Sequence, residues 1–314
     1  MSGELVVAAP ASTANLGPGF DCAAAALDLW NELELLAAAA DAPLVEIEGE
    51  GAGELPRDRE HLALRAFALV APLEGYRFRF RNRIPLERGL GSSAASVAAG
   101  LVAGCAAAGH NLSAQQLLEL GAPLEGHADN LAAALHGGAC LSWRAGESIR
   151  SIRVATELPL QAILVVPEAR MNTSQSRSRL PEFISHEDAV AAACASALLG
   201  AALASGDAEL LAASFHDRLH EPFRIADAPL LEALRSQPAQ GSAGSTLSGS
   251  GPSVVVWASA QAAAAVASEL AQRFPEARIL PLGLAAHGAL ASRGPAGPGS
   301  EPARPSGAEQ RAHA

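Results

Sequence analysis

The chain has 314 residues, a formal net charge of −11 and a pI near 5.3, with 49% apolar and 18% charged residues. That length holds one large or two medium domains, and the acidity argues against nucleic acid or an anionic membrane as partner, since both require concentrated cationic charge. All 22 basic residues are arginine and lysine is absent, which excludes the Walker-type P-loop and the protein kinases, because each sets a lysine on the phosphates.

No apolar run reads as a membrane span, and Met1 to Pro10 lacks the basic start and cleavage site of a signal peptide, so a cytoplasmic location is expected. The four cysteines, Cys22, Cys105, Cys140 and Cys194, are far apart in apolar or Ala-rich contexts. They read as buried reduced thiols rather than a disulfide frame or zinc site.

Leu5 to Ala11 predicts a short strand broken by Pro10, leading into an irregular loop from Ser12 to Asp21 stiffened by Pro18. Asn15 and Asp21 in that loop are readable as turn chemistry alone. Alternation resumes as a strand over Asn31 to Leu36, Leu44 to Gly49 predicts another, and His61 to Leu73 carries apolar residues at helical spacing.

Tyr76 to Arg81 alternates apolar and charged residues as a half-buried strand does, and an Ala/Val/Leu run without proline follows as a helix. Between them lies Pro85-Leu-Glu-Arg-Gly-Leu-Gly-Ser-Ser-Ala-Ala95. A helix start has backbone N–H groups without intrahelical partners and carries the positive end of the peptide dipoles, so an anion such as phosphate fits it. Gly89 and Gly91 let the backbone approach a ligand, and Ser92 and Ser93 add hydroxyls. A tight turn with a serine cap is the plainer reading of the same residues.

Ser113 is a plausible N-cap for a helix that Glu119 closes, a carboxylate opposing the helix dipole. His127, Asp129 and Asn130 then precede a short helix that Gly137 and Gly138 end; a helix cap and a core histidine would account for them as well. Past a boundary near Ala155, the pattern gives a strand from Leu158 to Pro167 and a polar segment from Met171. Two Ala-rich helices over 187–205 and 208–219, and a third over 228–234, come next. A glycine-rich turn over 241–252, a strand from Ser253, a helix over 261–274 and a strand over 277–284 complete an α+β sandwich with an antiparallel sheet. After about Ser292 the composition is that of a disordered tail.

Four irregular polar segments, Ser12 to Asp21, Arg88 to Ser93, Glu119 with His127 to Asn130, and Gly241 to Pro252, each at the end of an apolar element, are expected to converge on one site. Three of them carry the motifs Pro10-Ala-Ser-Thr-Ala-Asn-Leu-Gly-Pro-Gly-Phe-Asp21, the Pro85 to Ala95 loop and Leu247-Ser-Gly-Ser-Gly-Pro-Ser253, and with these the chain resembles the GHMP kinases over essentially all of residues 4–285. The combination of Asn15-Leu-Gly-Pro-Gly-Phe-Asp21 with Gly126-His-Ala-Asp-Asn130 resembles the homoserine kinase branch.

The resemblance implies an N-terminal ATP-binding domain of the ribosomal protein S5 domain 2 type (1–154), a ferredoxin-like C-terminal domain (155–291) and a tail (292–314). It implies phosphorylation of L-homoserine by ATP. ATP would lie on Pro85, Leu86, Glu87, Arg88, Gly89, Leu90, Gly91, Ser92, Ser93, Ala94 and Ala95. Mg2+ would be held by Ser92 or Ser93 with Glu119, which falls eight residues before His127. Asn15, Asp21, His127, Asp129, Asn130, Thr173, Arg177 and Arg224 would hold the amino acid, with Asp21 and Arg177 nearest the chemistry. Homoserine has an ammonium for carboxylates, a carboxylate for bidentate arginine and a hydroxyl to react. Relatives are commonly dimeric, so a homodimer is compatible with the resemblance. The rival readings are a sister small-molecule kinase and a non-catalytic ATP- or amino-acid-binding regulator.

Overall fold

A computed structural model describes residues 5–171 and 176–293. In the first half, β1 (Leu5–Ala14) pairs antiparallel with β2 (Ala23–Ala37), β2 with β4 (Tyr76–Asn82), and β3 (Val45–Gly49) joins β4 in parallel. The hairpin of β5 (Ala139–Ala145) and β6 (Ser148–Ala155) extends the sheet from the start of β2. Alternation sorts the two faces. Phe78 and Phe80 point into the core, while Arg77 and Arg79 pair outside with Glu46 at 2.8 Å, and Arg79 with Glu34 at 2.9 Å. Helices α1 (Leu62–Ala68), α2 (Ser92–Ala108), α3 (Ala114–Glu125) and α4 (Asp129–His136) contribute to the core that those strands face.

The second half is a four-stranded antiparallel sheet in the order β10 (Arg278–Leu282), β7 (Gln161–Val166), β9 (Val254–Ala258), β8 (Ser242–Leu247). Both of its faces are covered, which is why β7 and β9 read as continuous apolar runs rather than alternating ones. Leu164, Val255 and Trp257 join the core that holds Leu199 and Leu203 of α5 (His186–Ser205) and Leu211 of α6 (Ala208–Ser214). Ile163, Val165, Val254 and Val256 face Leu231 and Leu234 of α8 (Pro229–Ser236) and Val266 and Leu270 of α9 (Ala263–Arg273). A single helical turn, α7 (Glu221–Arg224), precedes α8.

Several expectations change. The chain returns to the first sheet: β11 (Leu290–Arg293) pairs antiparallel with β1, so residues 290–293 belong to neither a separate C-terminal domain nor a tail. A short apolar match hid this strand among Gly and Pro. Residues 294–314, expected as a tail, lie outside the described residues, as does Thr173. The helix expected over 208–219 stops at Ser214, where Phe215 turns inward. Part of the expected glycine-rich turn is β8, an edge strand beside β9 whose Ser245, Thr246 and Leu247 are buried. Cys194 is exposed and Cys22 half-buried, against the expectation of burial. Helix His186–Ser205 is long and apolar enough to cross a membrane, unlike the expectation from sequence; Ala192, Ala195, Leu199, Ala202 and Leu203 are its buried residues.

Candidate active site

The loop from Pro85 to Ser93 carries three positive backbone angles, Glu87 (φ 54°), Gly89 (φ 74°) and Gly91 (φ 65°). Gly91 is itself the N-cap of α2 and supplies no side-chain hydrogen bond, so no serine caps this helix. The amides of the first turn are therefore left without a side-chain acceptor, which is the condition for holding an anion. A Cβ on Gly89 would lie 2.0 Å from the Ser248 carbonyl oxygen, and one on Gly91 2.0 Å from Ser12 Oγ. The loop is thus clamped between the first and third motifs. Ser12 N donates to Leu90 O (3.1 Å), Ser12 Oγ to Asn130 Oδ1 (2.8 Å) and Ser248 Oγ to Gly89 O (2.7 Å).

Asn15 links the same two motifs. Its Nδ2 donates to Gly249 O (2.9 Å) and its Oδ1 accepts from Asp21 N (3.1 Å), with Asn15 (φ 72°), Leu16 (φ 47°) and Asp21 (φ 54°) all in the left-handed region. Three such non-glycine residues in one loop are strain that only the surrounding contacts hold in place, a pattern concentrated at functional sites.

A cavity of about 290 Å3 opens beside the loop, at the lower end of ligand-pocket size. It is lined by Asn15, Asp21, Pro85, Glu87 through Ser93, Glu125, His127, Asp129, Asn130, Arg177 and Arg224. All the expected substrate residues in the described chain therefore meet. Arg177 makes a bidentate pair with Asp21 (Nη2–Oδ1 2.7 Å, Nη1–Oδ2 2.9 Å) across the two halves of the molecule. Arg224 is buried, and its Nε has no hydrogen-bond partner among the described residues. Burial, then the charge of Arg177, hold its guanidinium below the ordinary arginine value. Asp129 is also buried, its Oδ1 accepting from Asn130 N (2.7 Å) and lying 3.6 Å from His127 Nδ1. Burial raises its carboxyl above the usual range, with His127 opposing.

Two expected site residues behave otherwise. Glu119 was expected to close its helix and hold metal; instead α3 continues to Glu125, and Glu119 faces outward, accepting from Gln115 Nε2 (3.0 Å) and lying 3.7 Å from Arg150. Pro123 lies inside α3 and denies the Glu119 carbonyl its N–H, yet the helix continues past it. Glu125, which sequence reasoning missed, is the α3 carboxylate that lines the cavity. Its carboxylate accepts a hydrogen bond from Ser93 Oγ, and desolvation raises its carboxyl above the usual range. The available signal was its position two residues before His127 in the polar cluster. Arg88 lines the cavity, but its donors go to the carbonyls of Pro167 (3.0 Å), Leu86 (2.7 Å) and Glu168 (2.6 Å), so it straps the halves together.

Among the described residues no three His, Cys, Asp or Glu side chains cluster at metal-binding distance. Mg2+ is nonetheless compatible with the Ser93 and Glu125 pair, since it keeps several waters and takes one or two carboxylates beside substrate phosphates. A desolvated carboxylate facing a hydroxyl is a donor set that a cation would relieve.

These features have close counterparts. The family descriptions "GHMP kinases N terminal domain" and "GHMP kinases C terminal" match residues 60–138 and 199–276. The chain belongs to the GHMP kinase family, with its two-domain fold of mixed helices and sheets. Within that family, it is 38% identical to the homoserine kinase of Clavibacter michiganensis over 271 residues, 84% of this chain and 85% of that protein. It is 39% identical to that of Moorella thermoacetica over 258 residues, 80% of this chain and 86% of that one. The crystal structure of homoserine kinase from Cytophaga hutchinsonii superposes with a TM-score of 0.80 at 28% identity, covering 93% of this chain and 98% of its own. The similarity therefore falls in the homoserine kinase branch.

Proposed function

We propose that this chain transfers the γ-phosphoryl group of ATP to the side-chain hydroxyl of L-homoserine, giving ADP and O-phospho-L-homoserine. The observation that carries the reading is one cavity joining an uncapped helix start under a positive-φ glycine loop to a buried, incompletely partnered arginine and two carboxylates. The loop amides and the α2 dipole receive the phosphates. Arg224, with Arg177, suits the substrate carboxylate, while Asp129 and Asp21 suit its ammonium.

Asp21 is assigned to orienting rather than abstracting a proton, its bidentate pair with Arg177 fixing both side chains at the cavity wall. Rate then comes from alignment of the hydroxyl with the phosphorus and from fixed dipoles facing the transferring charge. Ser93 and Glu125 would hold Mg2+, which when bound neutralises phosphate charge.

The supporting chemistry is that of small diffusible substrates, and we assign the chain to the cytoplasm, without nucleic-acid or membrane partners; a homodimer is testable by sedimentation. A coupled ADP-release assay with L-homoserine, mevalonate, shikimate and a hexose checks the function. Preference for any alcohol other than homoserine overturns it, and Mg–ATP binding without ADP release under all four makes the chain a binding module.

A further inference from the structure

Directly behind the cavity lies a fully buried imidazole that no step above employs. His220, the N-cap of α7, has 0% exposure. Its Nε2 is 2.9 Å from the Gly17 carbonyl oxygen and its Nδ1 is 2.9 Å from Arg224 Nη1. An arginine only donates and a carbonyl only accepts, so Nδ1 must carry the lone pair and Nε2 the proton. The opposite tautomer would set N–H against N–H and lone pair against lone pair. Partners on both sides thus select the neutral, Nε2-protonated ring.

What this ring touches is not ordinary core. The Arg224 guanidinium borders the cavity, and among the described residues its Nη1 has, apart from Nδ1, only the longer 3.4 Å contact to Gly249 O. Phe20 stacks on the His220 ring (centroids 4.9 Å, 19° between planes) and lies under both arginines, 5.4 Å from Arg224 and 5.5 Å from Arg177. The turn is rigid: Asp217 Oδ2 accepts from the amides of His220 (2.8 Å) and Glu221 (2.7 Å). Gly17, at the other end of the bridge, belongs to the loop that carries Asn15 and Asp21.

We propose that His220 is a positioning residue for recognition of the substrate carboxylate. It fixes one edge of the Arg224 guanidinium so that the remaining donors keep a single orientation toward the cavity, and it ties that orientation to the Gly17 loop. This rests on the reading of Arg224 as the carboxylate contact. A histidine that only filled space would support stability without distinguishing substrates by their carboxylate.

The test measures kcat and KM for His220→Ala, His220→Asn and Arg224→Ala with L-homoserine and with 3-aminopropan-1-ol, which lacks the carboxylate, as substrate or competitive inhibitor. His220→Ala should raise the homoserine KM about tenfold, the scale of one charge-assisted hydrogen bond. It should leave kcat within about threefold and the amino alcohol unaffected. His220→Asn, whose Oδ1 stands where Nδ1 did, should recover most of that loss. Arg224→Ala should show the same carboxylate-specific loss, larger. Equal losses for both ligands, or none, in His220→Ala beside a carboxylate-specific Arg224→Ala overturn the positioning role alone. An Arg224→Ala loss indifferent to the carboxylate overturns the reading beneath it. Independently of how any variant folds, 15N NMR of histidine-labelled wild-type protein should find His220 neutral with its hydrogen on Nε2; an Nδ1-protonated or doubly protonated ring sinks the proposal.

Discussion

The loop end of the cavity is made of backbone: glycines at positive φ, an uncapped helix start and carbonyls of the neighbouring motifs, nearly all from residues 85–95 and their clamps at Ser12 and Ser248. The opposite end is made of side chains, Asp21, Asp129, Arg177 and Arg224, drawn from four distant stretches, with Asp21 and Arg177 held by each other, Asp129 by Asn130 and Arg224 by His220. A backbone site tolerates few changes because the main chain cannot move aside. A side-chain site loses affinity by steps, since each contact is separable from the next.

The sharpest way to break this contrast is Gly89→Ala. Its new Cβ would meet a backbone carbonyl oxygen at 2.0 Å in a left-handed conformation, so turnover should fall about a thousandfold, with ATP affinity lost and homoserine binding kept. Calorimetry with each ligand checks it. Equal loss of both would mean the two ends are not independent.

Next comes the pair Glu125→Gln and Glu119→Gln. The first should lower kcat about a hundredfold, the scale of one preorganised electrostatic contact, and weaken the Mg2+ dependence; the second should stay within about threefold, because Glu119 faces Arg150. The reverse order would return the role to Glu119.

A smaller effect is expected of Asp21→Asn. It should raise the homoserine KM about tenfold with kcat little changed, since the carboxylate orients Arg177. A large kcat loss that follows a carboxylate titration would make it a base.

The smallest effect is on stability. The folded Asp129 carboxyl has a raised pKa, so the folded protein holds that proton after the unfolded chain has released it near pH 4. Stability therefore falls as pH rises from about 4 toward the raised value and is unaffected below that window. In Asp129→Asn this component disappears. Melting temperatures across that range should show a flatter profile in the variant by a few degrees.

How far the sequence reaches depends on whether the chemistry is local. The glycines, the strand before them and the helix after them lie within one short stretch, and steric rules fix what such a stretch does. Residues 15, 21, 127, 129 and 130 were identifiable through the family motifs, 177 and 224 through the wider resemblance alone, and the described chain brings them all to one cavity. Glu125 was missed because two neighbouring carboxylates sit on one helix and spacing alone does not say which turn faces the loop. The rotation of α3, set by burial of Leu117, Leu118, Gly121 and Ala122, decides it.

Composition and contiguous pattern were enough for the family, the strand-loop-helix at residues 76–108 and the lysine-free character of its glycine loop. Only the tertiary structure decided that Arg88 is a strap, that β11 returns to the first sheet, that Ser93 meets Glu125 and that His220 stands behind Arg224. Those are encounters between residues far apart in the chain. Their distances come from how helices rotate and sheets close over a core, which no local rule contains.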